Sequence, residues 1–237
     1  MNVDEIIKAV DEKIIELETK FSKGQIYKVS INPIVSFYNG EFVVAYYKEP
    51  TRNQKMDCIG RAGYKPLENG KEIFEKNIII EESNPIYLDD KDIYNDELTE
   101  ILTGVYSDVY TKASKIQFNK YSSLSDDERE LLDEKVVELT NTYKRKINVC
   151  VNEYNGNYIY CFFKTPDRVQ IMDTIGRGGR NPLHTAQTLL MVNILRNDSN
   201  TIYLDMNPEY DAINCGAFRE IYNAGNKITG NLYKKKQ

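Results

Sequence analysis

Apolar residues open the chain at three- and four-residue spacing. Ile7, Val10, Ile14, Leu17 and Phe21 form one stripe, which predicts an amphipathic helix. A second helix carries Asp133-Glu134-Lys135-Val136-Val137-Glu138-Leu139. Its start is marked by Ser125 as N-cap and Glu128 three residues on, a capping box, with Asp126 and Asp127 favouring the positive helix end. After each helix the period falls to two. Tyr27, Val29 and Ile31 alternate with Lys28 and Ser30, Asn39-Gly40 supplies the positive φ angles of a type I′ turn, and Glu41–Tyr47 returns. The second hairpin turns at Asn155-Gly156 and returns through Tyr158–Phe163.

Pro50 and Pro166 end these strands, and Thr51 and Asp167 are placed to cap a short helix. That helix reads Arg52, Gln54, Met56, Asp57, Ile59 in one place and Arg168, Gln170, Met172, Asp173, Ile175 in the other, with Gly60 and Gly176 expected to end it. Beyond Gly63 and Gly179, Pro66-Leu67 and Pro182-Leu183 start a third helix. Its second version (Leu189, Leu190, Met191, Val192, Ile194, Leu195) is apolar almost all round, whereas the first carries Glu68, Lys71, Glu72, Glu75 and Lys76. A loop (Ser83-Asn84, Ser199-Asn200), an Ile-Tyr-Leu-Asp segment and a last helix follow, the latter capped by Asn207 with Pro208 in its first turn.

The patterns recur because the sequence does. At an offset of 116, Tyr27–Tyr106 lies on Tyr143–Tyr222 without a gap, and about 30 of 80 positions are identical where chance gives roughly a twentieth. The opening helix is displaced by 122 instead, so the first copy holds about six extra residues around Ser22-Lys23-Gly24-Gln25. The expected fold is α+β: two tandem copies of a small domain, residues 1–121 and 122–237. Each would hold an N-terminal helix, an antiparallel β-hairpin and three further helices.

Composition narrows the function. The 237 residues are 41% hydrophobic and 28% charged, with a net charge of −5 and both signs interspersed, so nothing points to nucleic acid. Lys234-Lys235-Lys236 reads as a solvated tail. No apolar run reaches membrane-spanning length, and the acidic start (Asp4, Glu5) is unlike a signal peptide, so a reducing cytoplasm is expected. Cys58, Cys150, Cys161 and Cys215 face Thr174, Ile34, Ala45 and Thr99 in the other copy, as small core fillers do.

The paired Arg-x-Gln-x-Met-Asp-x-Ile-Gly-Arg-x-Gly motif concentrates the polar candidates: Arg52, Asp57 and Arg61, and Arg168, Asp173 and Arg177. They fit either caps and an intradomain Arg–Asp pair or a partner-binding surface. Gly176, Gly178 and Gly179 close a helix, where a dinucleotide fingerprint opens one, and no Gly-Lys-Ser/Thr exists, so no cofactor is expected. The single histidine, His184, rules out a multi-histidine metal site within the chain. Asp89-Asp90-Lys91-Asp92 lacks EF-hand spacing and reads as helix capping, so no metal is expected. No residue set stands out as catalytic, which leaves a degenerate nucleotide-binding or hydrolase domain as the remote enzyme reading. The 18 tyrosines, Tyr87 and Tyr203 in the repeated segment among them, divide between core and interface roles.

The stretch Phe163-Lys164-Thr165-Pro166-Asp167-Arg168, followed by Asn181-Pro182-Leu183 and Leu189–Leu195, resembles the small tail-assembly chaperone proteins of tailed phages. Tyr47–Arg52 and Lys65-Pro66-Leu67 echo it in the first copy. The resemblance covers roughly 60 residues per copy. It implies a protein that binds other phage structural proteins within an oligomeric assembly, without catalysis. A virion component made in the host cytoplasm is the expectation, with a tail-assembly chaperone absent from the particle as the alternative.

Overall fold

A computed structural model describes residues 3–61, 63–88, 95–177 and 182–225, without the side chains of 174–177. Among them are eight α-helices and two antiparallel two-stranded sheets, a mixed α+β structure. The chain forms two compact units, Met1–Lys115 and Ile116–Gln237.

The first unit runs α1 (Val3–Ser22), β1 (Ile31–Tyr38), β2 (Glu41–Lys48), α2 (Arg52–Gly60), α3 (Pro66–Asn77) and α4 (Asp96–Ala113). Ile6, Val10 and Leu17 of α1 pack with Ile31 and Tyr46 on one side of the hairpin. On the other side Ala45, Tyr47, Phe74, Leu102 and Val109 build the larger core with α3 and α4. Asn39 and Gly40 have φ of 51° and 82°, the left-handed pair that a type I′ turn requires. Strand β1 begins at Ile31, four residues later than the alternation predicts, because pairing runs out opposite it. Ile31 faces Lys48, one more bond joins Glu49 N–H to Ser30 O, and Pro50 has no N–H to continue. The left-handed position after α2 is Gly63 (φ 77°), not Gly60, which is the last helical residue.

The second unit runs α5 (Asp126–Tyr143), β3 (Ile147–Tyr154), β4 (Asn157–Lys164), α6 (Arg168–Arg177), α7 (Pro182–Asn193) and α8 (Asp211–Gly225). The capping box at Ser125 and Glu128 forms as the sequence indicates. Asn155 and Gly156 repeat the positive φ angles. Asn207 caps a 3-10 turn, Pro208–Tyr210, that leads into α8. Residues Ile116–Tyr121, which sequence comparison assigns to the first copy, belong to this unit and bond β3 through Gln117, Asn119 and Lys120.

Internal polar contacts recur at equivalent positions. Ser83 Oγ accepts from Tyr46 N–H and donates to Tyr46 O, and Ser199 does the same with Phe162. Asn77 and Asn193 each donate to the carbonyl four residues back. Asp89–Asp92, Tyr94, Gly178, Gly179 and Lys234–Lys236 lie outside the described residues.

Candidate interaction site

The described residues of the Arg/Asp motif differ in burial between the units. In the first unit Thr51 and Gln54 form a capping box at the start of α2, whose first residue, Arg52, is half-buried. Asp57 is half-buried in a cleft of about 40 Å³ shared with Arg61, Asn69 and Glu72. Arg61 donates to Asn69 Oδ1 (2.7 Å) and Glu72 Oε2 (3.3 Å), so it fastens the end of α2 to α3. Lys76, 2.6 Å from Glu72, is the first cause holding that carboxyl below its ordinary value, with Arg61 adding to it. A cleft of this size has room for about one water and none for a nucleotide.

In the second unit Arg168 and Asp173 are exposed on α6, and the Arg177 side chain lies outside the described residues. The helix also presents its apolar side differently. Met56 is 1% exposed and its counterpart Met172 is 64% exposed. The third helix behaves otherwise. Ile73, Phe74 and Asn77 of α3 and their counterparts Leu189, Leu190 and Asn193 of α7 are all buried. The extra apolar character of α7 goes partly to the surface, at Val192.

Tyr87 and Tyr203 are core residues in both units. The Tyr87 hydroxyl donates to Val43 O (3.0 Å), and the Tyr203 hydroxyl contacts Ile159 O (3.2 Å) and Asn152 Oδ1 (2.9 Å). Burial pushes both phenols above their ordinary value, Tyr203 the more strongly. All four cysteines are free and buried, and burial raises the Cys58 thiol to about 11 and drives those of Cys150 and Cys161 up as well. Thiols so placed are poor nucleophiles. His184 is half-buried on α7. Among the described residues no group of three or more His, Cys, Asp or Glu could hold a metal ion, and no helix is long and apolar enough to cross a membrane.

Sequence reasoning passed over the outer edges of the two hairpins. In the second unit the irregular segment Gln117–Lys120 lies along β3. Lys120 N–H donates to Val151 O, while Asn119 Oδ1 accepts from Val151 N–H and its Nδ2 reaches Val149 O. The Gln117 amide bonds Glu153 N–H and C=O, both at 2.9 Å, and its backbone N–H bonds Ala212 O of α8. Two side-chain amides and one peptide thus act as the missing neighbour strand. Gly216 of α8 permits this approach, since a Cβ there would stand 2.0 Å from Gln117 O.

The equivalent place in the first unit, between β1 and α4, is a groove of about 440 Å³. It is lined by Ile34–Phe37 and by Glu97, Glu100, Ile101, Gly104, Val105 and Asp108. Val35 is 45% exposed there, against 0% for Val151. Phe37 is exposed too and packs edge-on against Phe42. No protein family, curated protein or solved structure matches the chain.

Proposed function

We propose that the chain is a tandem duplication of one small domain serving as a non-enzymatic structural protein of a tailed-phage particle. It would work as an adaptor, ring or capsid-associated component that binds other phage structural proteins within an oligomeric assembly. Support for the duplication comes from about 30 identities in 80 positions and from the serine, asparagine and tyrosine bonds placed alike in both units. The observation that carries the binding role is the contrast between these shared interiors and the unlike exteriors. Val35 and Phe37 are exposed on one hairpin, and Val169 and Met172 on the later helix. One scaffold with two differently dressed faces suits a protein between unlike neighbours.

Mass spectrometry of purified particles of the encoding phage tests the reading. The expected result is a stoichiometric component. Absence, or a few copies at most, would overturn the virion role and favour the tail-assembly chaperone.

A further inference from the structure

We infer that the β1–α4 groove of the first unit is a docking site for an extended, basic segment of another polypeptide, added as a strand to the outer edge of β1. This rests on the reading of the chain as a binding protein and names the chemistry of one partner.

The second unit shows what such a groove accepts. There a four-residue irregular segment, Gln117–Lys120, satisfies β3 from Val149 to Glu153 with two side-chain amides and one backbone N–H, and leans on α8. Pro33, Val35 and Phe37 occupy the same register positions in β1: Val35 faces Val44 as Val151 faces Tyr160. Their outward groups therefore present the same sequence of acceptors and donors. Even Pro33 fits, because at the equivalent Val149 only the carbonyl is used, and a proline keeps its carbonyl. The edge exposes Val35 and Phe37, has no charged residue between Ile31 and Tyr38, and keeps one of the usual guards against strand addition, Pro33, at a position where only the carbonyl is needed.

The helical wall sets the specificity. Where α8 has Gly216, α4 has Glu100, so the occupant meets a carboxylate in place of a close backbone contact. Glu97 and Asp108 add two further acids, and among the described residues the groove lining holds no basic one. Gly104 leaves open space in the middle, where an added Cβ would touch nothing within 4 Å. Apolar side chains on one side and Lys or Arg facing α4 are what this lining complements.

The probe is a labelled peptide with the sequence of residues 115–121, Lys-Ile-Gln-Phe-Asn-Lys-Tyr, titrated into the full chain by fluorescence anisotropy and ¹⁵N NMR. Saturable binding below about 1 mM is expected, weakening with salt. The Val35 and Phe37 amide resonances should shift while those of Val151 and Glu153 stay. Val35→Pro should abolish binding, and E100K should weaken it about fivefold or more. No binding, shifts confined to the second unit, or affinity untouched by E100K in a folded protein would each overturn the proposal. A failed titration leaves the particle measurement standing, and a particle lacking the protein leaves the titration standing.

Discussion

The two hairpins share turn, register and internal bonding, yet one outer edge is covered and the other opens on a groove. On β3 the amides of Gln117 and Asn119 replace a neighbouring strand, and the glycine at 216 lets them sit close to α8. On β1 the same positions front solvent beside a wall of carboxylates. A β-edge is thus finished by whichever segment the chain lays beside it, here Gln117–Lys120. The polar chains beneath diverge in the same way. Asn32 takes part in a charged relay in which Lys112 donates to Asn32 and Asn32 to Glu49, which also pairs with nearly buried Lys55 at 2.7 Å. The equivalent Asn148 donates instead to the neutral hydroxyl of Thr165.

Proline substitution should separate the two edges most strongly. Val151→Pro removes an N–H that Asn119 accepts and should destabilise the second unit by about 3 kcal/mol. Val35→Pro should change the first by less than about 1 kcal/mol. Urea unfolding with amide exchange read for each unit measures both, and equal losses would mean that the β1 edge is covered as well. Next in size, Gly216→Ala should cost about 1–3 kcal/mol by pushing Gln117 off α8, while Glu100→Ala at the equivalent position should stay within about 0.5 kcal/mol.

Tyr203→Phe strips a hydroxyl from buried Asn152 and Ile159 O and should cost about 1–3 kcal/mol, against about 1 kcal/mol for Tyr87→Phe, which strands one carbonyl. Thermal unfolding of the pair would show whether the asparagine adds to the tyrosine bond. The smallest effect is acid sensitivity. Glu72, held down first by Lys76, and Glu128, held down by its Ser125 capping bonds, both have folded-state values below the ordinary one. Their contributions are therefore complete above about pH 4.3 and fade as the pH falls through the folded values. Glu72→Gln should remove the acid-induced loss at the α2–α3 junction, leaving fraying of α5 below about pH 4.3 unchanged in the NMR spectrum.

Much of the fold was legible because its signals are local. Asn39-Gly40 and Asn155-Gly156 carry the turn in their own φ preferences, and Ser125 with Glu128 closes a capping box within one turn of chain. Local reading faltered where several residues compete for one job. Gly60 and Gly63 both suit a helix end, and the left-handed bend falls at Gly63. The strand alternation from Tyr27 to Ile31 is real, but no partner with a free N–H lies opposite its start.

The candidate site was far less legible. Arg61 looked ready to pair within its motif, and its contacts with Asn69 and Glu72 depend on where α3 lands. Tyr87 and Tyr203 suited interface and core equally until their hydroxyls met Val43 O and Ile159 O. Identical Met56 and Met172 take opposite exposures, which no periodicity distinguishes.

By itself, then, the sequence determined the helices, the hairpins with their turns and the caps, since each depends on residues a few positions apart. Only the tertiary structure decided that Ile116–Tyr121 serves the second unit, that Arg61 fastens α2 to α3, and that β1 faces an acidic groove. Those outcomes depend on contacts between residues tens of positions apart, where burial and hydrogen bonding are settled by what else is nearby.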